Sequence, residues 1–212
     1  MEIIERQNSL FEKWKIEREG FIADGVVDEE AYLSSKPRVV YLLKEVNGGQ
    51  DWSLTDYISA GGRAHTWNNI ARWQYGLQNL EREIHWDEIK DISNNWRKER
   101  LQSICAVNVK KTSGGCTSKK DELVEKAFQD RKFLKEQIEI YNPDIIICCG
   151  TSYLYFDYIY GIRAEGKMTN RGIWFIKDKS KVIVSYLHPE ARVRDSMLYY
   201  GLTDAVKEIL SI

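Results

Sequence analysis

His188 follows directly on an apolar, β-branched run, Val182-Ile183-Val184-Ser185-Tyr186-Leu187, and precedes Pro189, which stops a strand. Arg192 and Arg194 come next. A histidine at a strand end is held rigidly and can exchange a proton near neutral pH, and the loop behind it faces whatever binds at the carboxyl ends of the strands. Two other apolar runs also end in polar groups. Residues 38–43 exit into Lys44-Glu45-Val46-Asn47-Gly48-Gly49, and residues 103–109 carry Asn108 near their end. A carboxylate such as Glu45 can stabilise positive charge or position water, a carboxamide such as Asn108 offers a donor and an acceptor side by side, and a neutral imidazole can donate to a leaving group. Taken singly, each has a plainer reading: a surface carboxylate, a turn former, a histidine beside a turn-forming proline. Their shared placement at strand ends argues for a pocket.

The elements that must hold these groups can be read from periodicity. Residues 3–19 repeat apolar side chains every three or four positions, as an amphipathic helix does, and Gly20 ends it. After a polar connection come the strand 38–43 and a glycine turn. Residues 51–62 are a loop or short helix carrying Trp52, which either stacks on a ligand or packs. Thr66 caps a helix running to residue 80, and the charged stretch 81–100 holds one more helix. Residues 103–109 and 144–150 are further buried strands, separated by a Lys/Thr/Gly/Ser loop and one long helix, 121–141, that stops at Asn142-Pro143. Thr151 opens an aromatic-rich helix, residues 173–176 and 179–185 form a hairpin or the approach to the last strand, and 196–210 close the chain as a helix. Strands alternating with helices imply an α/β domain, a mainly parallel sheet with helices on both faces.

At 212 residues the chain fits one domain, 1–212, with residues 1–35 as a helical extension packed on it. A net charge of -1 gives no global field for a polyanion, so contact with nucleic acid must come from local clusters such as Lys110 with Lys111 and Arg192 with Arg194. Residues 1–14 mix charged and apolar side chains unlike a signal peptide, and no apolar run is long enough to span a bilayer. A cytoplasmic protein without a membrane partner is expected. Cys105, Cys116, Cys148 and Cys149 include no Cys-x-x-Cys pair, and three fall in predicted buried strands, so they read as reduced thiols with no metal or cluster. His65 and His85 have no partners at ligand spacing.

Order and spacing together resemble the uracil-DNA glycosylase superfamily over residues 36–210, especially its iron-sulfur branch in motif order. Lys44-Glu45-Val46-Asn47-Gly48 stands where that branch has a Gly-Glu-x-Pro-Gly-like loop, Val107-Asn108-Val109-Lys110-Lys111 is similar to its base-recognition strand, 142–150 to its third strand, and His188-Pro189 to its second catalytic motif. Lys44 replaces the leading glycine, Asn47 the proline, and Glu190 the small residue after His-Pro. The cluster cysteines are not at their positions, so no cofactor is expected.

The resemblance implies a three-layer α/β/α sandwich around a mainly parallel four-stranded sheet. It also implies base excision from single- or double-stranded DNA by a monomer that flips the base into its pocket. Glu45 and His188 would be catalytic, the first at the sugar and its water, the second at base O2. Asn108, Asn47 and Trp52 would hold the base, and Lys110, Arg192 and Arg194 would meet phosphates or form the wedge. Two other functions stay open: binding of nucleic acid or a nucleotide without cleavage, and hydrolysis of a free nucleoside or nucleotide.

Overall fold

The computed structural model describes residues 3–49, 52–115, 118–178 and 181–211. The parallel strands β2 (Val39–Leu43), β3 (Ile104–Asn108), β4 (Ile145–Cys149) and β7 (Val182–Tyr186) are almost wholly apolar and almost wholly buried, as strands covered on both faces must be. They lie side by side in the order β3-β2-β4-β7, so all four carboxyl ends meet at one edge. The expectation of an α/β protein holds. The sheet, however, has seven strands among the described residues and not four. The antiparallel β1 (Gly25–Val26) joins β3 at one margin, and β6 (Trp174–Lys177) and β5 (Lys167–Met168) extend the other beyond β7. These additions are short strands with few side chains to reveal a period of two, and β5 is exposed altogether.

Successive strand residues feed two cores. Tyr41, Ile147 and Val184 face one side, and Val40, Ile146 and Ile183 the other. The first core is roofed by α3 (Leu54–Ser59), α4 (Ala64–Leu77), α5 (Trp86–Ile89), α6 (Asn94–Gln102) and α9 (Asp195–Ser211). Trp67 and Trp73 lie on the buried stripe of α4, as their spacing predicts. The second core takes α1 (Ile3–Trp14), α7 (Lys120–Gln129), α8 (Arg131–Tyr141) and a π-helical turn, Leu154–Ile159. That turn stands where an aromatic-rich helix is expected, and its wider winding shows in the bond from Tyr160 N–H to Tyr155 O at 2.9 Å.

The predicted long helix 121–141 is two. Asp130 leaves helical geometry with ψ 4°, and its buried carboxylate binds Arg18, tying the break to the segment after α1. Asn142 then ends α8 in the left-handed conformation, ahead of Pro143. The charged stretch after α4 likewise holds two short helices, α5 and α6. The first 35 residues do more than lie on the domain: between α1 and α2 (Glu29–Ser34) they supply β1 and the buried Asp24. Among the described residues, no helix is long and apolar enough to cross a membrane.

Candidate functional site

The chain leaves β2 toward β3 on one side, and leaves β4 toward β7 on the other. The connections thus reverse between the ends of β2 and β4, the switch point at which open α/β sheets bind ligands. Gly150 stands at the β4 end with φ +69°, and its N–H donates to Tyr186 O at 2.8 Å, which joins that end to β7. A Cβ built on Gly150 would lie 3.8 Å from His188 Cβ and 3.8 Å from Lys44 Cε. His188 and Lys44 thus flank the same bare backbone.

The His188 ring makes one hydrogen bond among the described residues: its Nδ1 accepts from the Glu190 backbone N–H at 3.1 Å. In the neutral ring the proton must then sit on Nε2, which is left as a donor. Burial holds the imidazole below its ordinary pKa; Glu190 opposes this, and Lys44 and Arg63 add to it. The ring is therefore neutral at pH 7. The loop carrying it is clamped by α4: Glu190 binds Arg63 and Thr66, and Asn69 Nδ2 donates to Pro189 O at 2.9 Å. Arg72, almost fully buried, bonds Asn69 Oδ1 and Asp195 Oδ2 at 2.8 Å each. Thr66, expected to cap α4, instead spends its hydroxyl on Glu190, while α4 begins earlier, at Ala64, with no side-chain cap.

Asn108 ends β3 and is only 3% exposed. Its backbone N–H donates to Asp24 Oδ2 at 2.7 Å, whereas its carboxamide bonds to no described residue. The buried side-chain atoms left without a partner among the described residues are Trp14 Nε1 and Gln137 Oε1, not those of Asn108, so its amide still reaches solvent and stays available to a ligand.

Glu45 and Lys110 are placed otherwise than expected. Lys110, predicted at a phosphate, is buried, and its ammonium sits between Glu45 at 2.8 Å and Glu122 at 2.6 Å. Burial pulls its pKa down, but the hydrogen bonds to Glu122 and Glu45 outweigh that and hold it above its usual value. It is not a free surface cation. The Glu45 side chain is only 6% exposed and lies beneath Gly114, where a Cβ would come within 2.1 Å of its carboxyl carbon. Lys111, beside it, is fully buried against Asp24 at 2.6 Å and over the Trp14 ring at 4.9 Å. Burial lowers its pKa, and Asp24 resists.

Asn47 is exposed, with its backbone bridging Gly114. Trp52 turns back onto the Gly48-Gly49 turn, both glycines having positive φ, and donates from Nε1 to Gly48 O at 3.1 Å. With Phe21, Ala23, Ser53, Asp56 and Tyr57 it lines an open depression of about 750 Å³. Arg192 and Arg194 are exposed on the loop after Pro189, alongside exposed Leu187, Val193 and Met197. His65 is exposed near the start of α4, and His85 caps α5. Cys105, Cys148 and Cys149 are buried and unbridged, their thiols pushed up by burial, and Cys116 lies outside the described residues. Among the described residues no three His, Cys, Asp or Glu side chains group where they could hold a metal ion.

Sequence reading missed Lys44 as a participant, although its place just after β2 and beside the switch point is a usable signal. It also missed Asp24, which nothing in its local sequence distinguishes. No model of a known protein family matches the chain, and no curated protein matches it.

Proposed function

We propose that this chain is a DNA glycosylase that binds a flipped base, uracil or another modified base, at the strand-end edge and hydrolyses its N-glycosidic bond. The observation that carries this reading is the pair of groups at that edge with no protein partner among the described residues, the Asn108 amide and the His188 Nε2–H. Their strands stand three steps apart in the sheet, roughly 14 Å between strand axes, a gap that two side chains and one pyrimidine ring between them would fill. Asn108 would read the base edge through its donor and acceptor, and His188 would hydrogen-bond the oxygen on which negative charge builds. A uracil-DNA glycosylase-like sandwich accounts for the β3-β2-β4-β7 order with both groups at one edge. Arg192 and Arg194 would steer the phosphates, and the exposed Leu187, Val193 and Met197 could fill the gap the flipped base leaves.

The Glu45 ion pair favours a second reading. A carboxylate bound to Lys110 and packed under Gly114 is poorly placed to activate water, which suits a protein that binds a base in nucleic acid without cleaving it.

Labelled single- and double-stranded oligonucleotides carrying uracil, hypoxanthine, xanthine or a modified pyrimidine separate the two, with alkali-sensitive breaks as readout. Base release lost in His188→Ala and in Glu45→Gln supports the glycosylase. Salt-sensitive binding without any release leaves the binding protein in its place. Release from free nucleotides but not from oligonucleotides assigns the chemistry to a nucleotide hydrolase.

A further inference from the structure

Three lysines stand at the ends of β2 and β3. Lys110 has Glu45 and Glu122, and Lys111 has Asp24. Lys44 has no ion-pair partner among the described residues. It is half-buried, its Cε flanks Gly150 with His188, and its backbone oxygen is fixed by Lys110 N–H at 2.9 Å. An unpaired ammonium at the switch point beside Gly150 raises the local potential for an anion that arrives or forms there.

We propose that Lys44 is a further catalytic residue, whose ammonium holds the negative charge that builds on the departing base, beside the Nε2–H of His188. The proposal rests on the glycosylase reading. As the C1′–N1 bond breaks, its electron pair moves onto the base, delocalised over N1 and the adjacent carbonyl oxygen. Water adds through oxygen to C1′ and gives up a proton to solvent, and the base anion leaves and takes a proton from solvent. One water is consumed, and one abasic sugar and one neutral base are formed. A neutral histidine donates a single hydrogen bond to that anion; a cation beside it adds a Coulomb attraction that grows as the charge develops, so it lowers the barrier without tightening the ground state. A Cβ at position 150 would reach into this space, in keeping with a glycine there.

The test compares single-turnover release of uracil and of 5-fluorouracil from the same single-stranded oligonucleotide by the wild type, Lys44→Met and Lys44→Arg. Removing one such stabilising group slows release roughly 100-fold, by analogy with the loss of an oxyanion donor. Lys44→Met should therefore be slowed to that extent on uracil and distinctly less on 5-fluorouracil, whose anion is more stable by itself, and Lys44→Arg should recover most of the rate. Equal slowing on both bases, as a phosphate contact or a packing role would give, overturns the proposal, and so does no slowing. Wild type that releases neither base overturns the glycosylase reading for uracil and the Lys44 assignment with it. A second measurement does not depend on turnover: the His188 titration midpoint, followed by NMR of the ring, should rise in folded Lys44→Met, or in Lys44→Gln if the methionine variant fails to fold. No rise means that the ammonium is not beside the ring and overturns the assignment.

Discussion

Two sets of side chains interleaved along the strand-end edge use the same residue types in opposite ways. In the closed set each charge has an opposite partner: Glu45, Lys110 and Glu122 form a chain of ion pairs, and Lys111, Asp24, Gln137, Tyr141 and Gln7 form a buried hydrogen-bonded one. In the open set, Lys44 at the end of β2, the Asn108 amide at the end of β3 and the His188 Nε2–H beyond β7 have no partner among the described residues, while their supports are thoroughly bonded. Hydrogen-bonding capacity left open on a rigid frame marks the set that binds. Charges paired internally mark the set that holds the fold, within which Gln137 Oε1 is left as a buried acceptor without a partner.

The largest effect expected from this contrast is on stability in the closed set. Lys111→Met strands the Asp24 carboxylate in the core and should lose about 3–5 kcal/mol in urea denaturation, with much of it recovered when Asp24→Asn is added, since the amide oxygen can still accept from Asn108 N–H. Gly114→Ala should lose about 1–3 kcal/mol, because the new methyl meets the Glu45 carboxyl and the pair with Lys110 must shift. Asn108→Ala should change stability by no more than ~1 kcal/mol yet abolish base binding in a filter or fluorescence assay; a large loss of stability would mean that the amide is structural after all.

The pH dependence is subtler. Because the His188 pKa is lowered from 6.5 on folding, the unfolded chain binds the proton more readily, so this contribution to stability is complete above pH 6.5 and declines as pH falls through the folded-state value. Stability curves for the wild type and His188→Gln should therefore draw together on acidification, and base release should fall over the same range. Smallest of all, Arg192→Ala and Arg194→Ala should leave stability within about 0.5 kcal/mol, each reducing the salt slope of DNA binding by about one.

The sequence carried the four parallel strands because β-branched runs buried on both faces are legible as such, and it carried the shared edge because each run ends in polar residues. Three features escaped it for physical reasons. The marginal strands β1 and β5 are two residues long, too short for a period. The break at Asp130 depends on Arg18, more than a hundred residues away in the chain. The Glu45–Lys110 pair is a side-chain register between neighbouring strand ends, and in the sequence both residues look equally available. The same limit separates Lys110 from Lys44: only the fold reveals which lysine has a carboxylate.

The most direct test of the open-set account is an NMR titration with an oligonucleotide bearing 2′-fluoro-deoxyuridine, whose fluorine slows glycosidic cleavage and so preserves the bound base. The account predicts that the Asn108 side-chain amide and the His188 imidazole shift together and saturably, with little change at Trp52 and Tyr57. Shifts confined to the depression lined by Phe21, Trp52 and Tyr57, with Asn108 and His188 unmoved, would contradict it.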